Sequence, residues 1–162
     1  MALRAVPGEK EGQVPQHLEV QLLDDGAYRK PGGSMEGLTG ALYWCTRGNT
    51  SLPPKHRAHF KAAGSWNEME IELRGQRLQV WVNGRLVQDT DLDDLAFRAD
   101  ALPGLKRTAG RIGFQQHTGQ VRFRNIQIEE LSGPDASSTS TSGYRGVQVT
   151  PPDAVRLPRK SC

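Results

Sequence analysis

Cysteine is almost missing from this 162-residue sequence; Cys45 and Cys162 alone exclude a disulfide scaffold and a cysteine-rich zinc site. Aromatic residues make up 6% and hydrophobic residues 36%, which limits the core that can be buried. No run approaches the roughly 18 consecutive apolar residues of a membrane-spanning helix. The first residues, MALRAVPGEK, lack an apolar stretch of signal-peptide length. Helical periodicity is nearly absent. No GxSxG elbow, phosphate-binding loop, dinucleotide fingerprint or calcium loop occurs, and no complete metal-ligand set is spaced along the chain, so no cofactor is evident.

An excess of one charge is also missing. The formal net charge is +3, but residues 132–162 hold Arg145, Arg156, Arg159 and Lys160 against Asp135 and Asp153. The body therefore carries 17 basic and 16 acidic side chains, with no basic run interleaved with aromatics. That balance argues against a nucleic-acid partner. The segment 132–162 has 16 Ser, Thr, Pro or Gly in 31 positions and one aromatic, Tyr144. Such a composition cannot offset its ordering entropy, so a disordered tail is expected after a domain spanning 1–131. Within it, 144–149 is the stretch able to pair as a strand.

What the body does have is a hydrophobic period of two. Leu18, Val20 and Leu22 alternate with Glu19 and Gln21. Met69, Ile71 and Leu73 alternate with Glu68, Glu70 and Glu72, the latter reading as a plain outer face. Leu78, Val80 and Val82 alternate with Gln79 and Trp81. Asn83-Gly84 predicts a two-residue type I′ hairpin, because both central residues need positive φ. Further strands are predicted at 38–44, 85–88, 111–116 and 121–131, with one helical turn inside 91–103. Short, closely spaced strands of this kind predict an all-β, antiparallel sandwich or jelly roll.

Pleating gathers some polar groups. Glu19 and Gln21 face away from the apolar side of their strand, and Gln115, His117, Arg122 and Arg124 fall on the corresponding face of theirs. If these strands neighbour one another, a carboxylate, amides, an imidazole and guanidinium groups share one surface suited to acid–base work on a hydroxyl-rich ligand. Each also has a plainer reading as a solvated surface residue. Ile112 and Phe114 are expected on the core side. Trp81 is either a sugar-stacking platform or a cap over a second layer. Trp44 and Trp66 read as core or rim, and Cys45 as a small buried hydrophobe. His56 and His59 stand three apart in KHRAHF, but Pro53-Pro54 argues against a zinc-binding helix.

Five segments carry a family resemblance: ALRAVPG (2–8), HLEVQLLDD (17–25), LTGALYW (38–44), GSWNEMEIELRGQRLQVWVNGRLVQDT (64–90) and GRIGFQQHTGQVRFRNIQIEEL (110–131). In order and spacing they resemble the bacterial 3-keto-disaccharide hydrolase domain family, also described as 3-keto-glucoside 1,2-lyases and 3-keto-2-hydroxy-glucal hydratases. The resemblance implies a concanavalin A-like, laminarinase-like jelly roll acting on sugars oxidised at C3. The ketone acidifies the C2 proton, a base removes it, the C1 aglycone is expelled, and water adds to the product. On that basis Glu19 and His117 are the expected acid–base pair. Arg4, Gln21, Asp24, Tyr43, Trp81 and Gln115 are the expected substrate-binding residues. The resemblance also implies a periplasmic or secreted location. It further implies an N-terminally truncated domain, since members carry strands ahead of the segment matching 2–8. A non-catalytic carbohydrate-binding module is the competing reading, because this kind of fold serves both uses.

Overall fold

The period-two segments form two antiparallel sheets in the computed structural model, which describes residues 1–6, 17–28, 34–43, 51–96, 103–115, 119–131 and 143–145. The first sheet contains β1 (Ala2–Ala5), β2 (Leu18–Val20), β3 (Leu42–Tyr43) and β7 (Arg111–Gly113), in the order β3-β2-β1-β7. The second contains β4 (Met69–Arg74), β5 (Arg77–Val82), β6 (Arg85–Asp91), β8 (Glu129–Leu131) and β9 (Gly143–Arg145), in the order β6-β5-β4-β9-β8. Two short helices, α1 (Asp25–Tyr28) and α2 (Leu92–Ala96), and a 3-10 turn at Pro103–Lys106 complete the described elements. The chain is thus strand-rich and antiparallel, as its periodicity predicts. None of the described helices is long and apolar enough to cross a membrane.

Alternation decides which face each strand buries. Leu3, Leu18, Val20 and Leu42 from the first sheet meet Met69, Ile71, Leu78, Val80, Val82 and Val87 from the second in one apolar cluster. Leu92 and Leu105 close its end. The intervening residues of these strands, Glu19 on β2 and Glu70 and Trp81 on β4 and β5, are less buried and stand on the outer faces.

One turn and one bulge fix the register of the second sheet. Asn83 and Gly84 both have positive φ, 50° and 75°, as the hairpin requires. Asn83 also bonds across the turn: its Oδ1 accepts from the Glu68 N–H at 2.9 Å and its amide donates to Asn67 Oδ1 at 2.9 Å. In β6 the pairing shifts between Trp81↔Leu86 and Val80↔Gln88, leaving Val87 as the extra residue of a bulge. The bulge turns Val87 inward against Gly40, where a Cβ would come within 2.7 Å of a Val87 methyl.

The structure departs from the sequence expectation in three places. Among the described residues of the expected 38–44 strand, only Leu42–Tyr43 forms a named strand. Thr39 is diverted instead: its N–H donates to the buried Asp25 carboxylate at 2.9 Å, and its hydroxyl lies 2.9 Å from the same oxygen. In the last expected strand, 121–131, only Glu129–Leu131 is paired. Asn125 there adopts φ 50°, which breaks the pleat and leaves Val121, Ile126 and Ile128 exposed. Ile112 packs against the core, but β7 ends at Gly113 and Phe114 lies exposed against Phe123, with ring centroids 4.4 Å apart.

Gly143–Arg145, inside the segment read as a disordered tail, forms β9 between β4 and β8. Tyr144 and Arg145 belong to the stretch read as able to pair. The rest of 132–162 lies outside the described residues.

Candidate active site

Ladder register assembles the site on the outer face of the first sheet. Glu19 on β2 pairs with Tyr43 on β3 and with Ala2 on β1, and Ala2 pairs in turn with Gly113 on β7. Residues directly opposite in antiparallel strands share a face. Tyr43, Glu19, Ala2 and Gly113 therefore form one row across all four strands. The carboxylate stands in that row with an aromatic residue on one side and two residues of minimal size on the other.

His17 stands two residues before Glu19 and so on the same face. Its Nε2 lies 3.4 Å from Glu19 Oε2. The side chains are largely withdrawn from solvent, at 12% and 17% relative exposure. Sequence reasoning passed over His17, although the i, i+2 spacing in His17-Leu18-Glu19 carried the signal. A carboxylate beside an imidazole can accept a proton, and the imidazole can hold the carboxylate in place or share the proton.

The other expected residues distribute less simply. Gln21 follows the last residue of β2; its Oε1 accepts the Leu22 N–H at 3.1 Å, and its backbone continues the pairing through Ala41 and Gly40. Asp24 caps α1, its Oδ1 accepting the Gly26 N–H at 3.1 Å. Both are half-buried near the end of β2. Gln115 is exposed two residues past the end of β7. His117, Trp44 and Cys45 lie outside the described residues.

Arg4 and Trp81 are not brought to the Glu19 face. At Arg4 the β1–β7 pairing is irregular and φ is 50°, so Leu3 and Arg4 both turn toward the second sheet. The buried Arg4 guanidinium donates to Gln76 Oε1 and the Gly75 carbonyl in the β4–β5 turn. Burial pulls its pKa below the ordinary arginine value, and the Asp93 carboxylate partly opposes that shift. Trp81 stands on the outer face of the other sheet, opposite Glu70 and Leu86 in register. Arg124, expected near the polar face, stacks on half-buried Trp66 at 3.9 Å from the ring centroid. Pleating predicts a face only locally; these side chains were redirected by a bulge, by membership of the other sheet, and by an aromatic neighbour.

Two further polar clusters serve the scaffold. Buried Gln88 donates to the Pro53 carbonyl at 3.0 Å and accepts from the Thr90 hydroxyl at 2.9 Å. The exposed His59 Nε2 lies 2.5 Å from an Arg85 nitrogen, and since arginine only donates, that imidazole nitrogen accepts. Among the described residues no three His, Cys, Asp or Glu side chains gather into a metal-ligand set.

The sequence model of the 3-keto-alpha-glucoside-1,2-lyase-like domain matches residues 2–129. The chain belongs to this family. No curated protein and no solved structure matches it. The match takes in β1 to β7 and the first residue of β8, and hence the whole Glu19 row, while β9 falls outside it. Membership of this lyase-like family makes the domain part of a carbohydrate-active, enzyme-like group.

Proposed function

We propose that this lyase-like domain cleaves 3-oxo-glycosides by 1,2-elimination followed by hydration, on a concanavalin A-like jelly roll. The observation that carries the reading is the Glu19–His17 pair, largely withdrawn from solvent on the face where the neighbouring row falls to Ala2 and Gly113. Glu19 takes the C2 proton, which the adjacent ketone acidifies. The C2–H electron pair passes into the C3 ketone to give an enolate, which then re-forms the ketone as the C1–C2 double bond forms and the C1–O bond breaks. The departing oxygen takes a proton from a general acid, the role assigned to His117, and the product is a 2-hydroxy enone. Water then adds at C1 and a proton returns to C2, so the sum is hydrolysis with no net redox change.

His17 supports the base in this scheme. It engages Glu19 Oε2, leaving Oε1 to reach the substrate, and Tyr43 borders the same carboxylate on the β3 side. Gln21 and Gln115 are assigned to the sugar hydroxyls and Asp24 to the surrounding rim.

The test separates the base step from the rest. A 3-oxo-glucoside in deuterated water exchanges its C2 hydrogen when a base operates, whether or not the aglycone leaves. Glu19→Gln is expected to lower both exchange and turnover by at least 100-fold, in line with the roughly 10²–10⁴-fold contribution of general base catalysis. Exchange at the wild-type rate in the folded variant would refute Glu19 as the base. Sugar binding without exchange or turnover in the wild-type protein would favour the non-catalytic carbohydrate-binding module.

A further inference from the structure

The described residues expose four large hydrophobic side chains, Phe114, Val121, Ile126 and Ile128, and all four lie between 114 and 128. Scattered singly, exposed apolar residues need no explanation; gathered on one segment, they mark a surface that another molecule covers. The segment is held at both ends. Phe123 packs on the core cluster and against the Phe114 ring, and Leu131 is buried. Between these anchors Ile126 and Ile128 stand 47% and 58% exposed, and residues 121–128 belong to no ladder among the described strands. They lead directly into β8, which stands last in the order of the second sheet. Its outward edge therefore presents backbone groups able to pair with another extended chain.

The order of side chains along the segment says which chain. Arg122 and Arg124 precede the two isoleucines, Glu129 and Glu130 follow them, and all four charged residues are exposed. Antiparallel pairing with a second copy reverses that order. Centred on Gln127, it sets Ile126 opposite Ile128 of the second copy and, by the two-fold symmetry, Ile128 opposite Ile126. Asn125, at φ 50°, ends the regular ladder on each side. Beyond it the basic end of one copy lies alongside the acidic end of the other. A parallel alignment in register would instead set like charges together, which is unfavourable. The Arg124 guanidinium lies over the Trp66 ring at 3.9 Å, a contact that holds it by its face and leaves its edge donors for a carboxylate.

We infer that residues 121–130 form an isologous interface with a second copy of this chain, an antiparallel seam with Ile126 and Ile128 at its centre. The seam links the five-stranded sheets of two copies. Glu19 lies on the other sheet, so the interface stands independently of the proposed elimination.

The test uses the full chain. Sedimentation equilibrium should show the mass rising with concentration from one chain toward two. Amide hydrogen exchange on the same samples should show residues 126–128 gaining protection as the dimer fills. Ile128→Lys, at a position exposed in the single chain, should weaken dimerisation by about tenfold or more, because the ammonium is set against Ile126 of the second copy. Two charge-swapped chains test the register. Arg122→Glu/Arg124→Glu is acidic at both ends of the segment and Glu129→Lys/Glu130→Lys is basic at both, so each should stay monomeric alone. Mixed, they should form a heterodimer. A mixture that stays monomeric while both chains are folded by circular dichroism would overturn the seam. So would an Ile128→Lys chain that dimerises as wild type does, or a wild type that is monomeric at every concentration and leaves the edge to a partner of different sequence. If a variant fails to fold, exchange on the wild type decides: protection of 126–128 that grows with concentration supports the seam, and dimerisation without it overturns the seam.

Discussion

Replacing Arg4 tests whether its guanidinium serves the fold or a ligand. The residue is 7% exposed, and its side chain reaches from β1 to Gln76 and Gly75 in the β4–β5 turn of the other sheet. Gln76 in turn donates to the Leu105 carbonyl at 2.9 Å, so one side chain ties the turn to the 3-10 segment beneath it. A hydrogen bond involving a charged group contributes about 1.5–3 kcal/mol, and losing the donor strands its acceptors. Two such bonds, weakened by partial exposure and by relaxation of the turn, put the cost of Arg4→Ala at about 3 kcal/mol. For a chain of this size about 2–4 °C is lost per kcal/mol, so the melting temperature should fall by about 6–12 °C. Arg4→Lys should recover less than half of that, because one ammonium cannot reproduce the forked geometry. Gln76→Ala in the Arg4→Ala background should then cost less than it does alone, with a coupling of about 1–2 kcal/mol. Thermal unfolding followed by circular dichroism measures each quantity. An Arg4→Ala protein that melts within 2 °C of wild type yet loses turnover would refute the clamp and return Arg4 to the substrate.

Gly110→Ala should destabilise by more than about 2 kcal/mol, since its Cβ would press on Arg4 backbone that cannot yield; chemical denaturation reads the loss directly. The Asp89 carboxylate is held below the usual range chiefly by its hydrogen bond from Arg77. Its contribution is therefore present above the unfolded value near 3.8 and lost as pH falls through the lower folded value. Asp89→Asn should lose slightly from wild-type stability at neutral pH, and the gap should close below about pH 4 in pH-dependent melts.

Much of the architecture was legible because the physics behind it is local. Alternation in 69–74 and 77–82 determined which side chains face the core, and Asn83-Gly84 determined the turn between β5 and β6, as only such residues tolerate two positive φ angles cheaply. Glu19 was assigned to an outer face for the same reason. Its partners were not legible to that degree. His17 directly precedes β2 and shares the parity of Glu19, yet what gives the pair meaning is a burial that only packing reveals. The nearness of Tyr43, Ala2 and Gly113 depends on ladder register between segments far apart in sequence, which no local pattern encodes. The irregular pairing at Arg4 turned toward the other sheet a side chain that the resemblance placed at the substrate, and Asn125 ended a ladder that periodicity would have continued. The sequence by itself determined periods, turns and family membership, because these are set by neighbours along the chain. Tertiary structure alone decided which faces met and which guanidinium became a clamp. Those outcomes depend on strand order and long-range packing.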